Sequence, residues 1–370
     1  MQLKNKNLFI FFILIIITIP TLAISRKGFI EAIPVLNEKS HQELLIALQK
    51  IFTTRNKAII DENLELLSHL YDKEVRNGLW AYEHEIKKIT YLHNWSSKQN
   101  VSFKSIDSQI IIRDMHNHSG GVRANLLVSS EYRYKYLDEP KIENSFRLGT
   151  YHSIDIIRKD KTCKITREWY SDPFSDSLNL DILDNEKIRE IITSQQPKNL
   201  SSLNKRRVNA VNYANMYCGA ASLPKYNFQF NNSYTNFNPQ GGDCANFASQ
   251  ILYEGGNFTK NYTWNYSNGN ASKAWVNAHA FNEYMLYSNR ASLIAKGSYS
   301  DILMSSYNLL PGDYIAYQKK DKITHVSVVT AQDSKGYILV NSHNTDRYNV
   351  PWDLGWNNEN IKFWFVHVHY

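Results

Sequence analysis

Gly241-Gly242-Asp243-Cys244-Ala245-Asn246-Phe247-Ala248-Ser249-Gln250 carries a cysteine out of a glycine turn onto the first turn of an amphipathic helix. The unpaired N–H groups and the positive end of the helix dipole at that place favour a thiolate, so the expectation is a Cys244 of lowered pKa. Gly255-Gly256 closes the helix after about Tyr253. A thiolate nucleophile needs a base, and the base needs a partner that holds its tautomer. His325 opens the apolar strand His325-Val326-Ser327-Val328-Val329, and the next strand, Tyr337 to His343, ends on Asn341 and His343. Positions two apart on a strand share a face, so either residue can be expected to aim at His325 across the hairpin.

Working outward, the chain divides into two units of α+β type. Apolar residues recur at helical spacing from His41 to Val75, with a break expected near Thr53-Thr54-Arg55. Alternating segments then read as strands over Trp80–Trp95, Ser105–His116, Val122–Leu137, Ser145–Ile157 and Cys163–Trp169. A helix followed by a curved antiparallel sheet places residues 28–172 in an accessory domain of cystatin-like or nuclear-transport-factor-like layout. Residues 173–203 form the connector, with a short helix over Ile182–Ile192, and 204–370 form the second domain, helices first and sheet afterwards.

Lys4 and Lys6, the apolar run Leu8–Ile17 and Thr21-Leu22-Ala23 read as a signal peptide over residues 1–23. A cleaved product is secreted or associated with the cell envelope and keeps no stable membrane span; without cleavage the same segment is an amino-terminal anchor. Loss of Lys4 and Lys6 lowers the net charge from +7 to +5. That mild excess suits an anionic wall or lipid surface, and the absence of dense basic runs interleaved with aromatics argues against nucleic acid. Three cysteines are too few for a disulfide scaffold, although a Cys163–Cys218 bridge is compatible with the count. No Cys-x-x-Cys or His-x-x-x-His spacing occurs, so neither a metal nor another cofactor is expected. Asp313, in Leu310-Pro311-Gly312-Asp313, reads as a turn residue.

Several stretches together resemble the putative amidase domain of exported proteins from low-GC bacteria, a family similar to the papain-like cysteine hydrolases. They are Val211-x-Tyr213-Ala214, Gly242-Asp243-Cys244-x-Asn246-Phe247-x-Ser249-Gln250, Gly255-Gly256, the Trp275 helix entered by Ser272, Pro311-Gly312-Asp313, His325, and Ser342-His343-Asn344-x-Asp346-Arg347. The resemblance covers residues 204–370 and implies a papain-like core that hydrolyses an amide bond through a thioester, with peptides of peptidoglycan as a candidate substrate. It implies Cys244 as nucleophile and His325 as base. His343 lies within the matching stretch and is favoured as orienter, with Asn341 close behind. Asn238 and Gln240, six and four residues before Cys244, are candidate oxyanion donors, and Asp243 and Trp275 candidate groove residues. A silent module that binds wall or spore components, and a transacylase on the same scaffold, are the alternatives.

Overall fold

The computed structural model describes residues 38–159, 162–174, 185–356 and 361–370. The signal peptide expected at 1–23 lies outside them. Among the described residues no helix is long and apolar enough to cross a membrane.

The chain opens with α1 (Glu38–Ile60), α2 (Leu64–Ser68) and α3 (Arg76–Gln99). The expected break at Thr53-Thr54-Arg55 does not occur, because Arg55 is buried and its Nη1 meets Glu168 Oε2 at 2.8 Å. The helix ends instead before Asn63, whose side chain caps α2 by accepting from Leu66 N. The strand expected over Trp80–Trp95 is α3. Its inward stripe runs Ala81, Glu85, Lys88, Ile89, Leu92 and Trp95, a helical period hidden in the sequence by two charged members. Glu85 and Lys88 sit in that stripe because they pair at 3.1 Å and share the Tyr170 hydroxyl.

Four antiparallel strands follow: β1 (Val101–His118), β2 (Gly121–Tyr136), β3 (Asn144–Lys159) and β4 (Thr162–Tyr170). After α4 (Asn185–Thr193) come α5 (Lys205–Met216), α6 (Cys244–Gln250), a small hairpin of β5 (Tyr266–Ser267) and β6 (Asn270–Ala271), α7 (Lys273–Val276) and α8 (Ala278–Tyr287). The chain closes with β7 (Ala291–Gly297), α9 (Tyr299–Ser306), β8 (Tyr314–Lys319), β9 (Lys322–Gln332), β10 (Ile338–Ser342), β11 (Asp346–Pro351) and β12 (Ile361–Val368).

The architecture is α+β with one large antiparallel sheet. Its order is β1-β2-β3-β11-β10-β9-β8-β12-β7, with β4 also on β3. The junction between the halves is the pairing of Asp346, Arg347 and Tyr348 with Gly149, Leu148 and Arg147. Gly149 is required there, since a Cβ would lie 2.4 Å from the Ala220 carbonyl carbon. The units that the sequence separates therefore share a sheet.

They share a core as well. One apolar cluster joins α1 and α3 to Ile315, Tyr317, Val329, Trp352 and Phe363 of the second half. Asp353, fully buried, accepts from Trp95 Nε1 at 3.1 Å and Tyr337 Oη at 2.7 Å and pairs with Lys98. A second cluster on the opposite sheet face holds α5 to α8 against Tyr314, Ala316, Val326 and Val328. Removing such large buried side chains costs about 2–5 kcal/mol each.

Candidate functional site

Every residue of α6 is buried, and its polar side chains are partnered. Asn246 Oδ1 accepts from Trp275 Nε1 at 2.9 Å, Ser249 Oγ accepts from Trp264 Nε1 at 2.9 Å, and Gln250 Oε1 accepts from Tyr213 Oη at 3.0 Å. Buried polar groups persist only with such partners, so Asn246, Ser249 and Gln250 fix the helix in place. Asp243, just before it, accepts from Phe237 N at 2.9 Å and Asn246 Nδ2 at 2.7 Å. Gly242 adopts φ +150° beside Asn344, where a Cβ would lie 2.4 Å from Nδ2. Asn344 Oδ1 in turn accepts from Asp243 N at 2.6 Å. The Gly-Gly-Asp signature thus serves a close approach between the α6 entrance and the turn after β10.

Cys244 lies at the start of α6 against β9. Burial pushes its thiol up to about 11, although the backbone N–H groups of Val326 and Ala245 pull the other way. The expected lowering is therefore overturned: at this helix start desolvation outweighs the aligned N–H groups.

His325 is opposite Tyr317 of β8, and its ring packs 5.4 Å from Tyr317 and 5.1 Å from Trp356. Tyr317 and Trp356 belong to the cluster shared with the first half, whereas Cys244 and Val326 belong to the other. Cys244 thus packs in one cluster with Val326, while the preceding imidazole packs against Tyr317 and Trp356, and among the described residues no hydrogen bond joins thiol and imidazole. Burial, with Arg347 and Lys319 nearby, brings His325 down to about 3, and its Nε2 has no hydrogen-bond partner among the described residues. The ring lines a cleft of about 220 Å³ with Lys319, Asn344, Thr345, Arg347 and Trp356, joined by Asp172 and Pro173 from the end of the first half and the start of the connector.

Asn341 and His343 share a face, as their spacing requires, but it is the Cys244 face. Asn341 donates to Asn215 Oδ1 at 3.0 Å and accepts from Asn349 N at 2.7 Å and Thr330 Oγ1 at 2.8 Å. His343 meets Asp243 Oδ2 at 2.6 Å through Nδ1 and Tyr217 O at 2.7 Å through Nε2, its ring stacked 3.7 Å from Phe247. Among the described residues neither has a hydrogen bond or ring contact with His325, and their partners are those just named. The side chain that reaches both regions is Asn344, which holds the Asp243 amide and lines the His325 cleft. Its place directly after His343 was the available signal.

The remaining candidates lie apart. Asn238 is half-buried and Gln240 exposed, and neither lines the His325 cleft. Trp275 is fully buried against Trp264, so it is core rather than groove wall, and Asp243 is equally enclosed. Asp313 is a buried turn residue that accepts from Arg207, Leu310 N and Val368 N. Cys163, Cys218 and Cys244 are all free thiols, so the Cys163–Cys218 bridge is not formed. Among the described residues no group of three His, Cys, Asp or Glu side chains has the arrangement of a metal site.

Residues 204–366, a little under half of the chain, match the family described as "Putative amidase domain", which points to amide hydrolysis as the coarse activity. No curated protein matches the chain. Among solved structures, the intermembrane space region of chloroplast protein ARC6 is similar at 12% identity and a TM-score of 0.25, over 37% of this chain and 98% of that one. Bd1075 of Bdellovibrio bacteriovorus is similar at 17% identity and a TM-score of 0.21, over 36% of this chain and 42% of that one.

Proposed function

We propose that residues 204–370 form a papain-like cysteine amidase, with Cys244 as nucleophile and His325 as general base, and that a cystatin-like or nuclear-transport-factor-like first half completes its cleft. The observation that carries this reading is the packing of Cys244, at the start of α6, in one buried cluster with Val326, the residue that follows His325. Of the two histidines near α6, His343 has both ring nitrogens committed to acceptors, which leaves neither to take a proton. His325 keeps a buried nitrogen without a partner and a strong preference for the neutral form.

Burial keeps both groups neutral at rest, so the proton leaves the thiol during attack rather than before it. A χ1 rotation brings Sγ to the amide carbonyl, His325 takes the proton, and the Asn344 amide and the Cys244 N–H receive the oxyanion. The amine departs with the proton from His325, and water then releases the acyl group from the thioester. Asn344 replaces Asn238 and Gln240 as side-chain donor in this reading. Peptides of peptidoglycan are the proposed substrate, on the resemblance and the positive net charge. Incubating wild type, Cys244→Ala and His325→Ala with peptidoglycan and peptide amides, with mass analysis of products, tests the scheme. Release by the Cys244→Ala protein at the wild-type rate refutes it.

One observation favours a second reading, a binding module without turnover: the thiol is protonated by burial and does not line the His325 cleft. Binding of wall fragments by a protein that releases nothing from any amide tested supports that reading over the first. A transacylase would hand the acyl group to an added amine instead of water.

A further inference from the structure

Trp80 on α3 and Trp169 on β4 are 52% and 65% exposed, and both line one cavity of about 690 Å³ that reaches Thr345 of the second half. Two large rings left in water forgo burial that a ligand covering them supplies. The Arg76 guanidinium lies 4.3 Å from the Trp80 ring centroid and steadies that indole. The charged walls already have partners, His84 within the cavity and the others behind it. His84 Nε2 meets Asp172 Oδ2 at 2.5 Å, Arg167 lies 3.7 Å from Asp155, and Glu168 is held by Arg55 and His152 at 2.8 and 2.7 Å. The charged wall groups are thus held in ion pairs, Arg167 sharing Asp155 with Arg123, and the cavity offers hydrogen-bonding groups to a polar ligand. Asp172 and Thr345 line both this cavity and the His325 cleft, so the two spaces adjoin.

We infer that the Trp80–Trp169 cavity binds a neutral saccharide carried on the same molecule as the amide to be cleaved. The inference rests on the amidase reading of Cys244 and His325 for the second clause only. Exposed indoles suit the apolar C–H face of a pyranose ring, and a rim of paired polar groups suits its hydroxyl and acetamido groups. The shared Asp172 and Thr345 place a sugar beside the cleft in which the amide would lie.

The test is titration of the full chain carrying Cys244→Ala with chitotetraose, followed by tryptophan fluorescence and calorimetry. Trp80→Ala and Trp169→Ala should each weaken binding about tenfold, the size of one lost aromatic contact, and Trp169→Tyr should retain most of it. Urea unfolding at an unchanged midpoint confirms that these surface variants are folded. No binding of chitotetraose by the intact protein, binding indifferent to both alanine substitutions, or equal affinity for a neutral peptide amide overturns the inference. Hydrolysis that survives Cys244→Ala would sink the amidase reading and leave this titration as it stands.

Discussion

His343 and Asp243, 100 residues apart, are joined by a 2.6 Å contact between Nδ1 and Oδ2, with the other ring nitrogen 2.7 Å from the Tyr217 carbonyl. This pair fastens the entrance of α6 to the end of β10 and so sets where Cys244 lies on the sheet. Breaking a buried pair from one side leaves the other charge uncompensated, so Asp243→Ala and His343→Ala should each cost about 3–5 kcal/mol. The double variant should lose less than their combined cost, because the two share one interaction. Urea midpoints of the four proteins measure this, and simple additivity would refute the coupling.

The buried thiol has a direct chemical signature. With Cys244 pushed up to about 11, its alkylation by iodoacetamide should be slow at neutral pH and climb until the pH passes about 11. Half-exposed Cys163 should label first. Peptide mapping after timed alkylation reads both, and rapid labelling of Cys244 at pH 7 would show a thiolate already formed.

The Trp356 ring packs against His325, 5.1 Å away. Trp356→Ala should admit water to the ring, relieve the desolvation that holds His325 near 3, and move its titration toward the ordinary value of about 6.5. Histidine proton resonances followed against pH report the change. An unmoved titration would mean that Arg347 and Lys319, rather than burial, hold the ring neutral.

Two carboxyls should shape acid stability in opposite senses. Burial works against ionising Glu168, but Arg55 and His152 prevail and bring it to about 2. Its folded value lies below the unfolded value of about 4.3, so its contribution is complete above that pH and is lost as pH falls through about 2. Burial raises Asp346 to about 6, above an unfolded value of about 3.9, so its contribution is complete at low pH and lost as pH rises through about 6. Stability measured in urea across pH 2 to 7 should therefore lose its low-pH fall in Glu168→Gln and its loss between about pH 4 and 6 in Asp346→Asn. Wild-type curves from both variants would contradict the assignment.

Much of the second half was legible in the residues. The strands β8, β9, β10 and β12 and the helix after Cys244 follow from short apolar alternation and from glycine punctuation, which are local signals. The short strands β7 and β11 were missed, since each is defined by its neighbours more than by its own pattern. α3 was misread because Glu85 and Lys88 fill a core stripe normally apolar, and only the pairing with Arg55 and Tyr170 makes that stripe burial-compatible.

Spacing placed Asn341 and His343 on one face, because the pleat repeats every two residues whatever surrounds it. Which face that is, and whether His325 shares it, depends on register and on the irregularity between Tyr317 and Gln318, where β8 meets β9. The glycine turn and the helix start around Cys244 are written in its own ten residues. The state of its thiol is not, because desolvation comes from β9 and from the helices packed around α6, residues far away in the chain. Helix geometry acts on its nearest neighbours; burial is a property of the whole fold, and here burial prevailed.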